Sequence, residues 1–110
     1  MKPEACLVLT TFPDTRTARR ILDQLLTERL AACVQRLPVR SSFHWKGKLT
    51  RAAEVLAVIK TRRALYPAVA ARLRSLHPYE TPEIILLPIA AGAAGYLGWI
   101  DAETRPAAKS

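Results

Sequence analysis

Two cysteines, two histidines and four glycines are all the chain carries of three residue types that announce chemistry. Cys6 and Cys33 form no C-x-x-C, which argues against a zinc ribbon and a thioredoxin-type redox pair. Both sit in apolar stretches, where a free cysteine packs as a small hydrophobe. The few glycines build no G-x-G-x-x-G, no G-x-x-x-x-G-K-[ST] and no G-x-S-x-G. With only two, distant histidines, no nucleophile, base and orienting group can be assigned, so the chain is not expected to be an enzyme. Long apolar runs are also missing. None approaches the roughly 20 residues of a membrane span, and Leu7-Val8-Leu9 is too short for a signal-peptide core. The expectation is a soluble, cytoplasmic protein with no membrane partner.

Acidic residues are in the minority. Seventeen Lys and Arg face nine Asp and Glu, giving a formal net charge of +8. Such an excess attracts anions: nucleic acid, a phosphate ligand or an acidic lipid surface. The basic residues are scattered, however, with no run of about five or six and few aromatics between them. Nucleic acid is therefore not the expected partner.

What is present is half hydrophobic, without low-complexity tracts or repeats, over 110 residues. This predicts one globular domain over residues 1–110, with its core at about 6–101. Cys6 to Phe12 reads as a buried strand stopped by Pro13-Asp14. Ala18, Ile21, Leu22, Leu25, Leu26 and Leu30 recur at helical spacing, with Asp14, Thr15 or Thr17 as the cap. From Ala32 to Trp45 the period falls to two, and Pro38 predicts a bulge or an edge position. Lys46-Gly47-Lys48 reads as a tight turn. Glu54 to Lys60, apolar on both faces, reads as a central strand.

A second helix is expected from about Arg63-Ala64, with Leu65, Val69, Leu73 and Leu76 as its stripe and Pro67 in its first turn. His77-Pro78 ends it. Ile84 to Ile89 reads as a fully buried strand and Tyr96 to Asp101 as a short terminal helix. Arg105 to Ser110 is expected to fray. The order is that of an α/β (α+β) chain of ferredoxin-like type, βαββαβ, with a long β2–β3 hairpin and a short C-terminal helix. Two helices cover one sheet face only. Apolar residues of the other, including some of Phe43, Trp45, Val55 and Ala57, then need cover, which predicts self-association.

Several stretches, met in order, carry a resemblance: Thr10-Thr11-Phe12-Pro13-Asp14, Glu28 to Val34, Trp45-Lys46-Gly47-Lys48, Ile59-Lys60-Thr61, His77 to Ile84, and Tyr96 to Ile100. Together they resemble the CutA family, the divalent-cation tolerance proteins, over nearly the whole chain. The resemblance implies a tight homotrimer packed through the open sheet faces, with hairpins adding strands across subunits. It implies a non-catalytic, metal-ion-binding role in divalent metal tolerance, copper first, with no cofactor required beyond such an ion. Family members with a copper site are expected to carry a cysteine in the first strand and two histidines before the proline. Here those positions read Thr10 and Leu76-His77. CutA-like trimers also resemble the PII signalling proteins, so the alternative is a PII-like sensor taking an anionic small ligand between subunits.

His77 is the best metal ligand by chemistry, with Glu80 as an oxygen donor and Cys33 as a cleft-facing thiol. Each also has a purely structural reading: a histidine at a helix C-terminus, an exposed carboxylate, a small buried side chain. For a small ligand the candidates are Lys60, Tyr79, Glu83 and Trp45. Lys60, on a central strand, is expected to pair with Glu54, Glu80 or Glu83, because an unpaired buried charge is costly. Tyr79 either lines a cleft or packs on Leu76, and Trp45 and Trp99 read as interface and core aromatics. His44 is expected to be exposed.

Overall fold

The computed structural model describes residues 4–105. The chain runs β1 (Ala5–Phe12), α1 (Thr15–Thr27), β2 (Cys33–Trp45), β3 (Lys48–Arg62), a 3-10 turn (Arg63–Leu65), α2 (Tyr66–Leu76), β4 (Ile85–Pro88) and α3 (Ala94–Glu103). The four strands form one antiparallel sheet in the order β2-β3-β1-β4. Of the frayed tail expected from Arg105, residues 106–110 lie outside the described residues.

Local chemistry explains the helix ends. The Asp14 carboxylate accepts from the Thr17 N–H at 2.7 Å, capping α1. At its other end Arg29 takes φ +59°, while Leu30 N–H donates to Leu25 O and Arg29 N–H to Leu26 O. This is the double bond of a Schellman cap, with arginine where glycine is usual. Pro67 lies in the first turn of α2, as expected, where no N–H is needed.

The core lies between the sheet and α1 and α2. Val8, Phe12, Ile21, Leu22, Leu25, Ile59, Val69 and Leu73 are fully buried there. Each such side chain contributes about 1.5–3 kcal/mol by leaving water. Cys6 and Cys33 are both free; they stand on β1 and β2 with β3 between them.

The hairpin is the largest departure from a compact sandwich. Its ladder pairs Cys33 with Lys60 and continues without slip to Trp45 with Lys48. Pro38 therefore sits in an edge strand and not at a bulge. Lys46 at φ +50° and Gly47 at φ +75° close a two-residue turn of the kind that matches strand twist. The arm extends well past the helices, and the molecule measures 53 × 29 × 22 Å.

Of the four apolar candidates for the open face, Phe43 and Trp45 lie on it, 37% and 43% exposed, and Val55 and Ala57 do not. Val55 and Ala57 are 8% and 0% exposed, under the helices. They share the parity of buried Ile59, since alternate strand residues point to one side. The open face also carries Leu56 and Val58, with Leu7 and Leu9 in register beside Lys60 and Val58. One expectation about the sheet is corrected: β4 is not fully buried. It is a four-residue edge strand, and Ile85 and Leu87 on its open side are 47% and 40% exposed.

Candidate functional site

A groove of about 870 Å³ lies between the hairpin arm and the α2–β4 connection. Ser41, Phe43, Trp45 and Glu54 line one side; Tyr79, Glu80 and Glu83 line the other. The proline-rich connection is positioned by hydrogen bonds. His77 N–H donates to Leu73 O as α2 ends, and extended backbone at His77 turns the chain toward β1.

His77 is at the centre of this arrangement. Its ring stacks on Phe12 with centroids 4.8 Å apart, and the Tyr79 ring lies 4.9 Å away. Nδ1 accepts from the Tyr79 N–H at 3.1 Å. That fixes the proton on Nε2, which donates to Thr11 O at 2.8 Å, with Thr10 Oγ1 3.3 Å away. Burial holds the imidazole below its usual pKa, against the opposing pull of the Thr11 carbonyl and the Glu54 charge. The neutral ring is the form that this geometry uses.

Tyr79 locks the connection to the arm. Its hydroxyl donates to Glu54 Oε2 at 2.7 Å. Burial, then the Glu54 bond and charge, and then Asp14 raise the phenol's pKa far beyond the usual range. Sequence pattern did not single out this contact, because Glu54 and Tyr79 are far apart along the chain and neither is unusual locally.

The candidate residues fall into two places. Trp45, Tyr79, Glu80 and Glu83 gather at the groove, with His77 behind Tyr79. Cys33 and Lys60 are cross-strand partners elsewhere on the sheet. Lys60 does not form the expected ion pair. Its Nζ donates to the Tyr96 hydroxyl at 3.0 Å and lies 5.1 Å from that ring's centroid. The strand parity that sends Lys60 to the open face sets it against α3, and Glu54 is held by Tyr79 instead. Tyr96 in turn stacks on Trp99, which is 42% exposed and not a core aromatic. Among the described residues, no three His, Cys, Asp or Glu side chains come together around a point where a metal ion would fit. His44 is exposed.

A βαββαβ sandwich with one open sheet face, an extended hairpin and a histidine-anchored connection defines the class: a ferredoxin-like α+β protein. The family model described as CutA1 divalent ion tolerance protein matches residues 6–103. The divalent-cation tolerance protein CutA of Pectobacterium atrosepticum is 42% identical over 103 residues, covering 93% of this chain and 94% of that one. Among solved structures, CutA1 from Oryza sativa superposes with a TM-score of 0.90 at 36% identity, covering 96% of this chain and 98% of that one. The periplasmic divalent cation tolerance protein CutA from Archaeoglobus fulgidus gives 0.90 at 36% identity, with coverages of 92% and 99%. The chain belongs to the CutA1 divalent ion tolerance family. That family is described by tolerance to cations and not by a reaction.

Proposed function

We propose that this protein acts in tolerance to divalent cations as a non-catalytic cytoplasmic homotrimer that binds copper in preference to other divalent ions. The observation that carries the metal reading is the meeting of His77 with Thr10. The copper-site pattern puts a thiol at Thr10's position, and here the two side chains are 3.3 Å apart. Imidazole with nearby carboxylate oxygens suits a borderline ion such as Cu(II), whereas Cu(I) favours thiolate. Glu80, exposed at the groove, is the oxygen donor of choice.

Binding at Nε2 has to displace the proton now given to Thr11 O, so affinity is weak and falls as pH is lowered. The trimer is supported by the open face, where Leu37, Trp45, Ile85 and Leu87 are each at least 40% exposed. Apolar area on that scale is normally covered.

Copper titration by calorimetry on wild type and His77→Ala tests the metal site. Loss of the binding isotherm in the variant is expected; an unchanged isotherm removes His77 from it. Heightened copper sensitivity of cells lacking the protein, rescued by wild type but not by His77→Ala, tests the role.

A further inference from the structure

We infer, on the reading of the protein as a homotrimer, that α3 of one subunit docks in the groove of the next, where Lys60 pairs with Glu83 of the partner subunit. Lys60 stands half-buried on the open sheet face, between Leu7 on β1 and Cys33 on β2. Its Nζ meets the Tyr96 hydroxyl and ring, and among the described residues no carboxylate comes within salt-bridge reach of it. Once that face is covered, an ammonium without a counter-charge is strongly unfavourable. The covering surface must therefore bring a carboxylate.

Few carboxylates are free to do so. Asp14 caps α1, Glu28 holds Arg72, and Glu54 accepts from Tyr79. Asp101 and Glu103 hold Arg105 and Arg29, and the charge of Glu4 acts on Arg105. Asp23 is exposed on α1, the helix on the far side of the sheet. Glu80 and Glu83 remain, both exposed at the groove. Ile84 packs against the core, so Glu83 turns to the open side with Ile85 and Leu87. Within one chain Glu83 and Lys60 cannot meet. Leu87 is level with Lys60 through Leu7, two strands across, and Glu83 lies four residues further along. Strand rise and spacing put the two Cα atoms about 16 Å apart. The pair therefore forms between copies.

The surroundings of the two charges match. Beside Lys60, Tyr96 and Trp99 stack with centroids 5.6 Å apart, and each is 42% exposed. The groove offers Phe43, Trp45 and the free carboxylates. One surface is aromatic and cationic, the other aromatic and anionic. Buried aromatic anchors dominate the energy of such contacts. Because different patches meet, the contact is heterologous, and its repetition closes a ring when the rotation allows. An arm taken into the interface leaves this groove facing the neighbour.

The test is sedimentation velocity of the full chain over a dilution series, in buffer and in urea too dilute to unfold it, with circular dichroism confirming each variant's fold. Lys60→Glu and Glu83→Lys should each raise the dissociation concentration more than about tenfold, since like charges then face each other. Combined in one chain they should recover most of that loss. Lys60→Glu with Glu80→Lys should not recover it. Where Lys60→Glu does not fold, Lys60→Gln should assemble more weakly than Lys60→Gln/Glu83→Gln, which leaves no charge unpaired. Trp99→Ala should weaken assembly, and Arg19→Glu on α1 should not. A trimeric wild type with no recovery in the combined variant overturns the proposal and leaves the trimer standing. Recovery with Glu80→Lys overturns the assignment of Glu83, and a monomeric wild type removes pair and trimer together.

Discussion

The hydroxyl of Tyr79 donates to the carboxylate of Glu54 at 2.7 Å, tying the α2–β4 connection to the hairpin arm across the groove. A bond to a charged acceptor contributes about 1.5–3 kcal/mol when sheltered. Both groups are only partly buried, so Tyr79→Phe should cost about 1–2 kcal/mol in urea unfolding at fixed protein concentration. Glu54→Gln keeps an acceptor and should cost less. Equal stability of wild type and Tyr79→Phe would mean that the bond does not hold the groove's two sides together.

His77 makes stability depend on pH. Its folded-state pKa lies below the ordinary 6.5, so the unfolded chain binds the proton more readily. The contribution is complete above about pH 6.5 and is lost as pH falls through the folded pKa. Melting temperature should therefore decline as the solution is acidified below about pH 6.5, ahead of the loss of ion pairs such as Glu28–Arg72, whose carboxylate is held below its usual 4.5. In His77→Gln the early decline should vanish, and a retained slope would assign it to another group.

Thr10→Cys supplies the thiol that the copper-site pattern calls for. With Thr10 Oγ1 3.3 Å from His77 Nε2, the sulfur would stand beside the imidazole. Cu(I) affinity, measured by competition with a chromophoric chelator, should rise at least tenfold. No change would separate this position from metal binding.

The turn at Lys46-Gly47 should respond asymmetrically. Gly47 sits at φ +75°, and no atom lies within 4 Å of where a Cβ would stand, so only backbone strain opposes Gly47→Ala. That strain is about 1 kcal/mol. Lys46→Asn, at φ +50°, should be neutral or stabilising because asparagine tolerates this region. Thermal unfolding of the two variants gives the comparison.

Self-association should depend on the open face. Mass in solution is expected near three times 12.2 kDa. Leu87→Glu should shift the protein to smaller species, while Arg20→Glu on α1 should not. A wild-type monomer at micromolar concentration would remove the trimer from the proposed function.

Much of this was legible locally. The alternation from Ala32 to Trp45, the stripe of α1 and the Asp14 cap all express contacts within a few residues, and each formed as expected. The Glu28 to Val34 motif was legible as a family mark, and its physical content is a Schellman cap with Arg29 in the left-handed region. The faces of Val55 and Ala57 were not legible, and the cause is plain. A strand apolar on both sides carries no pattern saying which side meets the helices. The partner of Lys60 was hidden for a related reason: Tyr96 belongs to a helix whose docking no short stretch encodes.

The sequence by itself determined the order of strands and helices, the hairpin turn, the cap of α1 and the end of α2 at His77-Pro78, because side-chain periodicity and backbone preference act over a few residues. Only the tertiary structure decided which carboxylate Tyr79 meets, that His77 spends both ring nitrogens on backbone groups, and that Lys60 meets Tyr96 and no carboxylate of its own chain. Those depend on register between distant strands, which buried contacts across the whole sheet select and no local rule contains.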